Sequence, residues 1–156
     1  MVSDVKVSFE FFPPKDEASE EKLWQTIKRL EPLQPRFVSV TYGADGSTRD
    51  RTHRIVRRIQ EETSLVGAPH LTCVGATKED VLEIAKGYAN EGINHIVALR
   101  GDPPAGEDTY TPYPGGFAYA NDLVEGLMGI ADFDLSVAAY PDVHPEAADA
   151  QANVNW

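Results

Sequence analysis

The sequence is poor in cysteine, and its single thiol, Cys73, excludes an internal disulfide. No cluster of Cys and His residues has the spacing of a zinc site. No apolar run is long enough to span a bilayer, and the first residues, MVSDVK, lack the apolar centre of a signal peptide. We therefore expect no metal, and a reducing, cytoplasmic setting.

Positive charge is scarce as well. The chain has 14 Lys and Arg residues against 25 Asp and Glu residues, a formal net charge of −11. This balance disfavours binding to a nucleic-acid backbone or an anionic membrane, so a small-molecule partner is expected. The glycine-rich motifs of Rossmann folds and P-loops are both missing, so any nucleotide cofactor is held by other means.

The residues that are present predict alternating strands and helices. Strand-like runs lie near Val5–Phe11, Phe37–Tyr42, His70–Val74, His95–Leu99 and Leu135–Tyr140. Apolar stripes predict four helices between them, marked by Leu23, Ile27 and Leu30, by Ile55, Val56 and Ile59, by Val81, Ala85 and Tyr88, and by Leu123, Leu127 and Ile130. Two pairs with the spacing of capping boxes, Ser47 with Asp50 and Thr77 with Asp80, mark helix starts. Such βαβ units make neighbouring strands parallel.

Strand alternation separates an apolar face from a more polar one. The predicted polar face collects Ser8, Glu10, Ser39, Thr41, His70, Thr72, Ala98, Arg100, Ser136, Ala138 and Tyr140. A doubly wound sheet needs two apolar faces, whereas a barrel interior can become polar toward its mouth. We therefore predict an α/β fold of the TIM (β/α)8-barrel type, with about five parallel strands and four helices. Residues 1–156 would form a single, incomplete barrel domain with an atypical tail at 153–156.

Several residues at predicted strand ends carry chemistry, and each has a simpler interpretation. Glu10 is either an exposed strand-end carboxylate or a general acid in a partly dry pocket beside Phe9, Phe11 and Phe12. His70, at a predicted strand start, is either a packing residue or a catalyst.

The segments that follow strands four and five leave similar alternatives. In "LRGDPP", Arg100 and Asp102 form a structural ion pair or are turn residues in the simpler interpretation. In the functional interpretation they contact a ligand, which the backbone can approach closely at Gly101. Tyr140 could cap the core or stack on a flat ring system, with His144 nearby. The long Gly/Pro-rich loop that begins at Gly101 is typical of functional loops.

Five segments together closely resemble the methylenetetrahydrofolate reductase family, in order and in approximate spacing from about Val5 to about Ala152. They are "SFEFFPPK", "FVSVTYGADGSTR", "PHLTC", "GINHIVALRGDPP" and "AAYPDVHPEA". The resemblance implies a (β/α)8 barrel with FAD at the carboxyl ends of its strands. It also implies an oxidoreductase of one-carbon metabolism and methionine biosynthesis, which reduces 5,10-methylenetetrahydrofolate to 5-methyltetrahydrofolate with NADH or NADPH.

The resemblance also implies roles for particular residues. Glu10 would protonate the leaving nitrogen as the folate ring opens, and Asp102 would stabilise the iminium cation and tune the flavin. The positions that match the FAD cradle are Thr41, His70, Arg100, Gly101, Asp102, Tyr119, Ala120, Tyr140 and His144.

The sequence departs from the family pattern near its end. Asn153 stands where an acidic cofactor contact is expected, and the basic helix that would follow is missing. Five strands would leave the first and fifth as open edges, so we expect a homo-oligomer or a complementing chain. Two alternatives to the reductase remain: a non-catalytic flavin- or folate-binding module, and another flavin-dependent barrel oxidoreductase.

Overall fold

The structure, a computed structural model, describes residues 5–42, 48–103, 106, 109–139 and 147. Strands and helices alternate through these residues. The elements are β1 (Phe9–Phe11), α1 (Glu17–Leu30), a 3-10 helix (Glu31–Leu33), β2 (Val38–Val40), α2 (Arg49–Glu62), β3 (Gly67–Thr72), α3 (Lys78–Asn90), β4 (His95–Leu99), α4 (Ala120–Met128) and β5 (Asp134–Val137).

The five strands form one parallel sheet in the order β1-β2-β3-β4-β5. Every strand lies beside its neighbour in the chain, as in a (β/α)8 barrel. A doubly wound sheet would instead reverse its strand order at a switch point. The predicted fold class is therefore confirmed, with five strands and four intervening α-helices. Within the described ranges, no helix has both the length and the apolar character to cross a bilayer.

The helices bury the stripes that the sequence predicts. The core between helices and sheet contains Ile27 of α1, Ile55, Val56 and Ile59 of α2, Val81, Ala85 and Tyr88 of α3, and Leu123 and Leu127 of α4. These side chains cover the face of the sheet that carries Val38, Val40, Leu71, Ile96 and Ala98. We refer to the opposite face of the sheet, which carries Glu10, Ser39, His70 and Thr72, as the open face.

One of the predicted helix starts is confirmed in detail. The Thr77 hydroxyl accepts a hydrogen bond from the Asp80 N–H at 3.2 Å, and the Thr77 N–H donates to the Asp80 carboxylate at 3.3 Å. This reciprocal pair begins α3 as a capping box. Ser47, of the other predicted pair, lies outside the described residues. Ile130 lies just beyond the end of α4.

The predicted position of His70 at a strand start is wrong. Strand β3 begins at Gly67, so His70 is its fourth residue. The first three residues, Gly67, Ala68 and Pro69, have low intrinsic strand preference. They are nevertheless buried and form the strand because β2 pairs with them in register.

The predicted face of β4 is also wrong. His70 pairs with Val97 and Leu71 with Ala98, so Ala98 lies on the helix-covered face and is fully buried. The prediction counted back from Arg100, but β4 ends at Leu99 and alternation need not continue beyond it. Because the strand is otherwise apolar, its sequence carries little information about which face is which.

Candidate active site

Two side chains from separate strands meet on the open face of the sheet. Glu10 Oε2, on β1, lies 3.3 Å from His70 Nε2, on β3. The intervening strand supplies Ser39, which is in register with Glu10 on one side and with Ala68 on the other. His70 follows Ala68 by two residues, so it faces the same way one step nearer the carboxyl end of the sheet.

The burial of these two groups is unequal. The His70 side chain is 9% exposed and the Glu10 side chain is 55% exposed. Burial lowers the pKa of His70, and the charge of Glu10 opposes that effect in part. Burial is thus the stronger influence on the imidazole, and the more exposed carboxyl group lies on its solvent side.

Two buried polar atoms on this face lack hydrogen-bond partners in the described part of the chain. They are His70 Nε2, whose contact with Glu10 is close but not aligned as a hydrogen bond, and Thr72 Oγ1. Buried polar side-chain atoms in proteins are rarely unpaired, so each such atom needs an explanation. Because both atoms lie on the same face of the sheet, the simplest explanation is that they bind a polar ligand.

The dry aromatic surroundings expected for Glu10 do not form. Phe9 and Phe11 pack against the core on the other face of the sheet, and Phe12 is 78% exposed. The prediction of a partly dry pocket made by these three rings is therefore wrong. The neighbour that Glu10 does have is His70.

Thr41 lies directly after β2 and is held through its backbone. Its N–H donates to the Phe11 carbonyl at 2.8 Å, and its carbonyl accepts from the Thr52 hydroxyl at 2.8 Å. Strand β1 and helix α2 therefore fix the Thr41 backbone, and its half-buried side chain stands at the strand end.

Arg100, Gly101 and Asp102 begin the long loop after β4. The Arg100 carbonyl accepts from the Cys73 N–H at 3.1 Å, and the Arg100 guanidinium carbon lies 4.6 Å from the centre of the Tyr110 ring. Gly101 has φ +88°, and a Cβ there would lie 2.5 Å from Val74 Cγ2. Asp102 is exposed, directly after the close approach at Gly101.

The start of α4 closes the other side of this loop. Tyr119 precedes the helix, and its N–H donates to the Asp122 carboxylate at 3.1 Å, while Ala120 is the first helical residue. The thiol of Cys73 donates to the Tyr119 carbonyl at 3.5 Å. Tyr110 was not among the site residues predicted from the sequence, yet its ring contacts the Arg100 guanidinium. The sequence feature that could have indicated it is an aromatic residue in a Gly/Pro-rich loop.

The predicted site residues thus fall into two groups. One group pairs Glu10 with His70, and the other joins Arg100 and Tyr119 through Cys73, with Gly101 beside Val74. Thr41, Asp102 and Ala120 stand apart from these two groups, at a strand end, in a loop and at a helix start. Tyr140 and His144 lie outside the described residues. No group of three or more His, Cys, Asp or Glu side chains is arranged to hold a metal ion in the portion that the structure describes.

Comparison with known proteins agrees with this architecture. A family model described as "Methylenetetrahydrofolate reductase" matches residues 2–156. The chain is 54% identical over 150 residues to the 5,10-methylenetetrahydrofolate reductase of Salmonella typhimurium, a match that covers 96% of this chain and 49% of that protein. The corresponding protein of Escherichia coli gives the same identity and coverage.

A plant relative is more distant. Methylenetetrahydrofolate reductase (NADH) 1 of Arabidopsis thaliana is 41% identical over 145 residues, which cover 92% of this chain and 24% of that protein. The chain spans about half the length of the bacterial relatives it matches. The family match runs along nearly the whole sequence and coincides with five parallel strands in barrel order, and it shows that the chain belongs to the methylenetetrahydrofolate reductase family.

Proposed function

We propose that this chain forms the first part of a flavin-dependent reductase barrel, which converts 5,10-methylenetetrahydrofolate to 5-methyltetrahydrofolate with NADH or NADPH. In this proposal residues 1–156 are one incomplete barrel domain of one-carbon metabolism and methionine biosynthesis. The observation that carries the proposal is the contact between Glu10 and His70 beside unpaired buried polar atoms on the open face of the sheet.

The residues of this face fit a flavin nucleotide. His70 Nε2 and Thr72 Oγ1 are buried and need polar partners, which the ring system or ribityl chain of FAD would supply. Arg100 brings a permanent positive charge suited to a diphosphate or to a reduced, anionic ring. The residues that would hold FAD are Thr41, His70, Arg100, Gly101, Asp102, Tyr119 and Ala120, together with Tyr140 and His144. The chemistry that FAD supplies when bound is hydride transfer, taken from a reduced nicotinamide and given to the methylene carbon of the folate.

Glu10 is the group on this face suited to move a proton. Its side chain is more than half exposed, so it can both meet a substrate and regain a proton from solvent. As the folate ring opens, the C–N bond breaks, its electron pair stays on nitrogen, and Glu10 donates the proton to that nitrogen. The exposed carboxylate of Asp102 would stabilise the positive charge left on the methylene carbon.

The surroundings of the chain follow from the same proposal. Strands β1 and β5 each have one neighbour in the described sheet, so a second copy or a complementing chain would pair with them. We place the protein in the cytoplasm because its one cysteine is free and buried, as suits a reducing compartment.

The test begins with the purified chain and its flavin absorbance. Adding reduced nicotinamide without oxygen should bleach that absorbance, and 5,10-methylenetetrahydrofolate should then restore it. Glu10→Gln should abolish the second half-reaction and spare the first, whereas Glu79→Gln, an exposed carboxylate on α3, should change neither. Equal loss of both half-reactions in Glu10→Gln would show that Glu10 is structural and overturn its role as the acid.

The second candidate function is a flavin- or folate-binding module without turnover. It is favoured by the unpaired buried atoms His70 Nε2 and Thr72 Oγ1, which call for a polar ligand whether or not turnover follows. Flavin that binds and bleaches, but is not reoxidised by the folate, would support this second function over the first.

A further inference from the structure

We propose that Tyr110 is a positioning residue for the cofactor: its ring holds the Arg100 guanidinium at the end of β4, where the flavin would bind. This inference rests on the proposed function and deepens it, because Arg100 is one of the residues that would hold FAD. Tyr110 is not among the positions that the family resemblance assigns to the flavin cradle.

The contact between Tyr110 and Arg100 is a cation–π interaction across the loop after β4. The guanidinium carbon lies over the Tyr110 ring, 4.6 Å from its centre, which is within the range of attraction between a cation and an aromatic face. Arg100 Nε also donates to the Gly101 carbonyl at 3.4 Å. Both Tyr110 and Arg100 are half-buried, and a cation–π contact strengthens as water is removed from it. The ring therefore restricts the long arginine side chain.

Tyr110 is itself anchored to the later part of the same loop. Its hydroxyl donates to the carbonyl of Phe117 at 3.4 Å, and Phe117 is buried in the core. The Gly115 carbonyl accepts from the Lys78 N–H at 3.0 Å, which ties this stretch to the start of α3. The ring that contacts Arg100 is thus joined to a stretch of loop that the core and α3 hold in place.

Tyr110 also lies near a second part of the proposed flavin cradle. Burial raises the pKa of its phenol, Cys73 and Tyr119 raise it further, and the charge of Arg100 opposes them. Arg100 and Tyr119 are both positions that match the FAD cradle, one at the end of β4 and the other at the start of α4. The ring therefore stands where these two parts of the cradle come together.

A guanidinium held by an aromatic ring can still bind an anion. Stacking occupies its flat face, whereas its N–H donors point outward in its plane, so a stacked arginine can donate to a diphosphate or to a reduced flavin ring. A side chain that is ordered before the ligand arrives also loses less freedom on binding. We therefore expect Tyr110 to raise flavin affinity through Arg100.

The first test detects the contact without flavin. In NMR spectra of the full chain, the Nε–H signal of Arg100 should move downfield in Tyr110→Leu, because the shielding above the aromatic ring is lost. Arg100→Lys identifies the signal. Tyr113→Leu, at an exposed tyrosine of the same loop, is the matched control and should leave the signal in place. An Arg100 signal that is the same in Tyr110→Leu and in the wild type would overturn the inference.

The second test measures flavin affinity from the quenching of flavin fluorescence. Tyr110→Leu should raise the dissociation constant for FAD about three- to tenfold, and Tyr110→Phe, which keeps the ring, should stay within about twofold of the wild type. Tyr113→Leu should bind FAD as the wild type does. The decisive comparison uses Arg100→Gln, which has no cation for the ring to hold. In that variant, adding Tyr110→Leu should weaken FAD binding no further.

The outcomes separate this inference from the proposed function. Equal weakening by Tyr110→Leu with and without the Arg100 guanidinium would show that the ring contacts FAD itself or only supports the loop, and would overturn the positioning role. Unchanged affinity in Tyr110→Leu would overturn it as well. A wild-type chain that binds no flavin would contradict the proposed function alone, and the NMR signal would still decide whether Tyr110 holds Arg100.

Discussion

The Ser136 hydroxyl lies 2.9 Å from Nε2 of His95, at the end of the sheet opposite the proposed site. On the other side of the ring, His95 Nδ1 is 3.5 Å from the Asp134 carboxylate, which in turn lies 3.6 Å from the Arg36 guanidinium. The ring also packs at 4.2 Å against Phe37. This cluster joins the segment that enters β2 to β4 and β5.

We expect Ser136→Ala to destabilise the protein. The buried imidazole would lose the partner of Nε2, at a cost of about 1–3 kcal/mol in the free energy of unfolding. Urea denaturation measures this difference. Ser8→Ala, at an exposed position before β1, is the matched control and should change stability by less than about 0.5 kcal/mol. Equal stability of the two variants would show that the Ser136 contact contributes nothing.

Stability should fall as the pH drops below about 6.5. Burial lowers the pKa of both His95 and His70 from the ordinary value of 6.5. Below that value the unfolded chain binds more protons than the folded protein, so acid favours unfolding until the folded-state pKa values are passed. The loss should be visible between pH 7.5 and pH 5.5 in urea denaturation, and smaller in the double variant His70→Gln/His95→Gln. An identical pH dependence in that variant would contradict the assignment.

The carboxylates lose their contribution at lower pH, so the two effects are separable. Hydrogen bonds from Ser19 lower the pKa of Asp16, and those from Thr77 lower the pKa of Asp80, in both cases from 3.8. A group with a lowered carboxyl pKa stabilises the fold above its unfolded value and loses that effect as the pH falls below about 3.8. The interval above pH 5 therefore reports on the histidines.

Gly101→Ala should be more destabilising than Gly115→Ala. Both glycines have positive φ, +88° and +74°, so both variants incur the backbone strain of about 1–2 kcal/mol. Only at Gly101 does the new Cβ also meet a side chain, Val74 Cγ2 at 2.5 Å, which adds about 1–3 kcal/mol of overpacking. Urea denaturation of the two variants isolates the steric part. Equal losses in the free energy of unfolding would mean that the loop after β4 can move away from Val74.

Two helical glycines should respond to alanine with opposite signs. Gly87, in α3, has open space around its missing Cβ, so Gly87→Ala should stabilise the protein by about 0.5–1 kcal/mol. Gly126, in α4, would place its Cβ 2.6 Å from the ring of buried Phe117, so Gly126→Ala should destabilise despite the same gain in helix propensity. Thermal unfolding of both variants is the measurement. A stabilising Gly126→Ala would show that Phe117 can repack.

Cys73 should resist thiol reagents in the folded protein. Burial raises the pKa of its thiol to about 12, so almost no reactive thiolate exists at pH 8. The sulfur also lies beneath the start of α4, near the Tyr119 carbonyl. A chromogenic disulfide reagent should label the chain rapidly in urea and very slowly in buffer. Rapid labelling of the folded chain would show that the contact between β3 and α4 opens readily.

The family resemblance identified site residues but not which of them meet. It named Glu10 and His70 separately, yet no spacing in the sequence relates residues on β1 and β3. The register through Ser39 and Ala68 brings them together. The flanking phenylalanines were misleading because strand alternation, which the sequence does encode, directs Phe9 and Phe11 away from Glu10.

The sequence by itself determined the elements whose signals are local. The capping box at Thr77 and Asp80 needs residues three apart, and the stripe of Ile55, Val56 and Ile59 needs one turn of helix. Only the tertiary structure decided which face of β4 is buried and that His70 stands behind Glu10. An apolar strand has no preferred face until its neighbours pair with it, and contacts between strands depend on register rather than on distance along the chain.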